Sequence, residues 1–166
     1  MNRQFPEAIH AINRIAEGLR AEVHLHCCHS VYKRRSDVTG DYKPILPRLG
    51  EAKVDRVNLE FAYPGTGDVS DLALLPSHLC LGMGVVDVRS EQLQTVEQIE
   101  ALAEAGAAIV GRDRIALNPD CGFAPDPRNS SRTDLAPSRP YNPSVPYQRV
   151  RRARNQNSCG EGTFAN

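Results

Sequence analysis

At 166 residues with 40% apolar side chains, the chain is long enough for one compact domain with a real core. Twenty acidic and twenty basic side chains cancel to a formal net charge of zero, which excludes the strongly basic classes that bind nucleic acid or anionic membranes through counterion release. No apolar run approaches the ~20 residues of a membrane span, and the N-terminus lacks a charged-then-apolar signal pattern. A cytoplasmic protein is expected. In that reducing setting the five cysteines, Cys27, Cys28, Cys80, Cys121 and Cys159, read as thiols or metal ligands rather than as a disulfide framework.

Apolar residues at Ile9, Ile12, Ile15, Ala16 and Leu19 recur at helical spacing and predict an amphipathic helix from Pro6 to Leu19, with Pro6 in its first turn. From Glu22 the period changes to two. His24, His26 and Cys28 then share one face of a strand, and Val23, Leu25 and Cys27 the other. Asp41 to Lys53 reads as a short helix with Ile45, Leu46 and Leu49 on its apolar side, and Arg56 to Phe61 as a strand. The PGTGDVSDL stretch is a Gly-rich loop running into a short helix. It lacks the Lys and Ser/Thr of a phosphate-binding loop, so a structural turn is expected. Leu79 to Val86 reads as a buried strand, Thr95 to Ala105 as a helix ended by Gly106, and Arg114 to Leu117 as the last strand.

Helices and strands alternating with short connections predict a parallel α/β sheet of four strands built from βαβ units. Right-handed crossovers bring all four strand C-termini to one edge, where ligands bind in such folds. Residues 127–166 are rich in Pro, Ser, Asn and Arg without periodicity and read as a disordered tail, giving a folded unit of residues 1–126. The RVRRAR cluster within the tail reads as a solvated basic run.

Chemistry-bearing residues fall at the strand ends: His26 and Cys28 in VHLHCCHS, Glu60 in RVNLEFA and Cys121 in RIALNPDCGF. Two sulfurs, an imidazole and a carboxylate suit a zinc ion that keeps a position open for a thiol. Glu60 follows an apolar Val-Asn-Leu run, so a metal or an arginine must satisfy it. Cys27 points away from Cys28 and reads as a small core residue. His24 lies a full pleat deeper than His26 and reads as support for the site or as a satisfied core histidine, whereas His29 is expected to face away. Asp87 reads equally as a hydrogen-bonding group at the mouth of the site or as a structural ion pair.

His26-Cys27-Cys28, Glu60, the LGMGVVDVRS run from Leu81 to Ser90 and Asn118-Pro119-Asp120-Cys121-Gly122, in that order, resemble the C-terminal catalytic domain of cobalamin-independent methionine synthase over residues 6 to 126. The resemblance implies the last four β/α units of a TIM-type (β/α)8 barrel with the site at its C-terminal face. It also implies His26, Cys28, Glu60 and Cys121 as zinc ligands, and transfer of a methyl group from 5-methyltetrahydrofolate to homocysteine. No stretch matching the first half of the barrel precedes Met1, and the irregular tail stands where a closing helix is expected, so the chain resembles a truncated member. Arg89 occupies the family's proton-donor histidine position. A guanidinium can stabilise an anion but is a poor general acid, and no catalytic residue is assigned. Two alternatives follow: alkyl transfer to another thiol such as coenzyme M, and a non-catalytic half barrel that self-associates through open sheet edges.

Overall fold

The computed structural model describes residues 4–31, 34–90 and 92–122. The sequence-based boundary at residue 126 and the tail 127–166 lie outside these. Helix α1 (Gln4–Ala16) leads to strand β1 (His24–Cys27), a 3-10 segment (Leu46–Glu51), β2 (Arg56–Glu60), a second 3-10 segment (Val69–Leu74), β3 (Cys80–Val86), helix α2 (Val96–Val110) and β4 (Ile115–Pro119). The four strands form one sheet in the order β1-β2-β3-β4, every neighbouring pair parallel. The expected α/β architecture is thus the one observed.

The register sorts the side chains into two faces. Leu25, Val57, Leu81 and Ile115 are aligned across the strands, and Cys27, Leu59, Met83 and Leu117 form the next such row. Val57, Leu59, Leu81 and Met83 are fully buried beneath Leu46, Leu49, Leu72 and Leu75 of the 3-10 segments and their flanks and Val110 of α2. This is the core, and Cys27 packs against it. The opposite face carries the row His26, Asn58, Gly82 and Ala116, followed toward the strand ends by Glu60, Gly84 and Asn118. It is the polar side, and it holds the candidate metal-site residues His26 and Glu60.

Several elements depart from expectation. The two short helices are single 3-10 segments, because Pro47 and Gly50 interrupt the first and a cap from Asp68, accepting from the Ser70 N–H at 2.7 Å, starts a second that ends six residues on. Gly65 and Gly67 in the preceding loop adopt positive φ, as a turn requires. Helix α2 runs through Gly106 to Val110. Its N-terminus is a complete capping box from Thr95 and Gln98, and its end falls at Gly111 with φ of 99°. Gly106 stops nothing; a side chain there would run into Met83 Sδ, so the glycine sets the close approach of α2 to the sheet. Cys27, Cys28 and Cys121 are free thiols.

Glycines in β3 make room for polar groups of neighbouring strands. A Cβ on Gly82 would overlap the Asn58 amide, and one on Gly84 would overlap the Asp120 carboxylate and lie 3.0 Å from the Leu59 carbonyl oxygen and the Asp120 Cα. Backbone atoms cannot rotate away. Gly84→Ala is therefore expected to lower stability by about 1–3 kcal/mol, as overpacking does. Gly122→Ala, which would meet nothing within 4 Å among the described residues, should change stability by no more than about 0.5 kcal/mol. Urea denaturation of both variants checks the contrast.

Candidate metal centre

The parallel register decides which side chains meet. Cys27 is aligned with Leu59 and Glu60 with Gly84, so Cys28, one residue past the end of β1, comes alongside Glu60 at the last position of β2. Asp120 donates its N–H to the Val86 carbonyl at 3.0 Å, carrying the chain past β4 to Cys121 at the same edge. Donor atoms of His26, Cys28, Glu60 and Cys121 all lie within 4.8 Å of one another. Cys28 Sγ is 3.4 Å from Glu60 Oε1 and 3.5 Å from Cys121 Sγ. Ligands at tetrahedral corners around zinc, with bonds of about 2.0–2.3 Å, are separated by about 3.3–3.8 Å. His26 is exposed and Glu60 is fully buried, so the cluster opens to solvent on the side of the polar sheet face.

The electrostatics of the cluster also suit a cation. Burial, the Cys121 thiol beside it and the Glu60 carboxylate push the Cys28 thiol up to about 12. The backbone N–H of Ser30, 3.1 Å from the sulfur, pulls the other way. Cys121 and Glu60 thus disfavour ionisation of the Cys28 thiol, and a divalent ion reverses that balance. Cys27, on the core face, is raised to about 11 by burial alone, which keeps it a neutral thiol.

His29 does not face away. Ser30 adopts a left-handed conformation with φ of 59° and turns the chain back. The His29 ring is buried, with Nδ1 3.1 Å from Glu60 Oε2 and Nε2 donating to the Gly40 carbonyl at 2.8 Å. The supporting histidine is thus His29. His24 is instead partly exposed and pairs with Glu22 at 2.9 Å. Tyr42 completes the support. Its hydroxyl donates to the Cys27 carbonyl at 2.8 Å, accepts from the Glu60 N–H at 3.1 Å and lies 3.1 Å from His29 Nδ1.

Arg89, with 2% of its side chain exposed, donates from Nη2 to Glu60 Oε2 at 2.8 Å, and its Nη1 is 3.6 Å from Asp120 Oδ2. Its guanidinium lies 4.6 Å over the Tyr63 ring. Asp87 acts here as a hydrogen-bonding group. Its Oδ1 accepts from the Arg89 N–H at 2.7 Å, fixing the turn that aims the guanidinium inward. Asp120, also fully buried, accepts from the backbone N–H groups of Phe61, Ala62 and Tyr63 at 2.8 to 3.1 Å. Burial raises its carboxyl, and those three donors pull it back down. The sequence marked Glu60 as a buried acid in need of a cation. It gave no sign of Tyr42, eighteen residues upstream, or of Asp120, whose burial shows only once β4 is placed.

Residues 4–140 match the family model described as cobalamin-independent synthase, catalytic domain. The chain belongs to this family. Curated relatives of the chain include the methionine synthases of Methanothermobacter thermautotrophicus, 36% identical over 129 residues, and Pyrococcus furiosus, 34% identical over 120 residues. These alignments cover 75% and 72% of the present chain but 37% and 32% of the relatives, so it spans about a third of their length. A B12-independent methionine synthase from Shewanella sp. W3-18-1, solved in complex with selenomethionine, superposes with a TM-score of 0.62 at 20% identity over 74% of this chain and 38% of that one. That likeness concerns the fold: four parallel β/α units of a TIM-type barrel.

Tyr42→Phe tests the support of the centre. Losing the hydroxyl strands the Glu60 N–H and the Cys27 carbonyl, and the expected cost is about 1–3 kcal/mol. A chemical-denaturation midpoint equal to that of the parent would mean that those groups find other partners.

Proposed function

We propose that His26, Cys28, Glu60 and Cys121 hold a zinc ion, and that this centre serves methyl transfer from a 5-methyltetrahydrofolate to homocysteine in methionine biosynthesis. The convergence of four donors of this chemistry within 4.8 Å supports the reading most directly, together with membership of the cobalamin-independent synthase family. Zinc at such a centre lowers the pKa of a bound substrate thiol and keeps it a thiolate at neutral pH. The chain's own residues do the rest of the local work. The two cysteines supply negative charge that keeps a bound sulfur electron-rich, His26 supplies a neutral ligand from the exposed side, and Glu60 supplies a carboxylate anchored from behind.

Arg89 argues against the reading in which the thiol is coenzyme M. Its side chain is 2% exposed and committed to Glu60 and Asp120, so it is not offered to an incoming sulfonate. Among the described residues no helix is long and apolar enough to cross a membrane, and this reading places the work in the cytoplasm on small-molecule substrates.

Zinc titration followed by calorimetry tests the metal assignment. Because the Cys28 thiol is protonated at neutral pH, with its pKa raised to about 12, binding must release protons, and affinity must rise with pH. The expected result is a single zinc per chain with a heat that depends on the buffer's ionisation enthalpy. Cys121→Ser should weaken binding strongly, and a variant that binds zinc as the parent does would remove Cys121 from the centre.

A polypeptide of these 166 residues is expected to bind zinc and show no methyl transfer by itself. Catalysis requires donor and acceptor to be held in line, and the described sheet offers four strands where a full barrel has eight. Its outer strands β1 and β4 would also favour self-association. Assay of the zinc-loaded chain with methylfolate and homocysteine, beside the Cys121→Ser variant, decides the point: turnover that the variant abolishes would show the chain to be a sufficient enzyme.

A further inference from the structure

Glu60 uses its two carboxylate oxygens differently. Oε1 faces the cluster, 3.4 Å from Cys28 Sγ. Oε2 faces inward, where it accepts from Arg89 Nη2 at 2.8 Å and lies 3.1 Å from His29 Nδ1. All three side chains are buried, at 0%, 2% and 8% exposure for Glu60, Arg89 and His29. The groups behind Oε2 are themselves fixed: His29 by the Gly40 carbonyl, and Arg89 by its Asp87-bound turn and by stacking over Tyr63. Among the described residues Arg89 Nε makes no hydrogen bond, and Nη1 has an ion-pair contact with Asp120 Oδ2 at 3.6 Å.

We propose that Arg89 is a positioning residue that clamps Oε2 of Glu60, so that this ligand meets the metal through Oε1 alone. The inference rests on the zinc reading and goes beyond it. A carboxylate free to rotate can chelate a metal through both oxygens. One whose second oxygen is bound by a guanidinium and faces a buried imidazole presents a single oxygen of reduced donor strength. The coordination number then stays at four, and Glu60 becomes the weakest of the four ligands. In this chain the position that the family resemblance assigns to a proton donor is given over to holding a ligand.

The test is a double-mutant cycle on metal affinity, measured by competition with a chromophoric chelator, with cobalt(II) absorption as the structural readout. Arg89→Gln is expected to weaken zinc binding by about 10–100-fold, the usual effect of losing a partner behind a ligand. It should also weaken the visible d–d bands of the cobalt-loaded chain, as coordination rises above four. Arg89→Lys, which keeps the charge and one hydrogen bond, should recover part of both signals and serves if the glutamine variant does not fold. In a Glu60→Gln background, Arg89→Gln should have no further effect on affinity. Equal losses in both backgrounds, or an unchanged cobalt spectrum and affinity in Arg89→Gln and Arg89→Lys, would overturn the clamp while leaving the metal centre in place. Absence of thiolate-to-cobalt charge transfer in the parent chain would overturn both.

Discussion

A carboxylate with no exposure to water has to be matched by positive charge or lose its own, since moving an ion out of water costs several kcal/mol even after relaxation. Glu60 is that carboxylate, and the architecture around the strand ends follows from it. Arg89 supplies that positive charge from the β3 side, the His29 ring lies 3.1 Å away on the β1 side, and the Tyr42 hydroxyl accepts from the Glu60 backbone N–H. Arg89 in turn brings in Asp120, whose oxygens collect the N–H groups of the chain leaving β2. Segments following all four strands are thus joined through one buried charge and its partners. The four donors of the candidate metal centre are arranged on the outer side of that network.

The network explains why the site lies at the edge of the sheet rather than within it. Deeper on the polar face Asn58, Gly82 and Ala116 are small or neutral; His26 in the same row is the one donor it sends to the cluster, and Arg56, one row further down, pairs with Glu22 at 3.0 Å. Only at the strand ends can loops supply the hydrogen-bond donors that a buried acid requires, and the loop after β2 alone supplies three to Asp120. Chemistry and loop backbone converge there for the same electrostatic reason.

Much of this was legible in the sequence because it depends on period and order. Alternation in HLHCC put His26 and Cys28 on one face, and the alternation of helices with strands gave the parallel sheet and hence a common edge for Glu60 and Cys121. Local chemistry that depends on a single unusual backbone angle was not legible. His29 was expected to face away because strand alternation was carried one residue too far. The strand ends at Cys27, and the left-handed Ser30 reverses the chain. Gly106 was read as a helix stop because glycine commonly is one, whereas contact with Met83 on another element explains it. In both cases a local rule was overridden by a partner that sequence proximity does not reveal.

Strand β3 contributes no side chain to the metal centre, yet it lies in the middle of it. On the polar face it presents Gly82 and Gly84, and the space they vacate is filled from both sides by the Asn58 amide of β2 and the Asp120 carboxylate beyond β4. The strand acts as a mould whose shape is defined by what it lacks. A search for functional positions that looks only for reactive atoms would pass over it, and an engineer free to redecorate the barrel would find that the two positions with the least chemistry offer the least freedom.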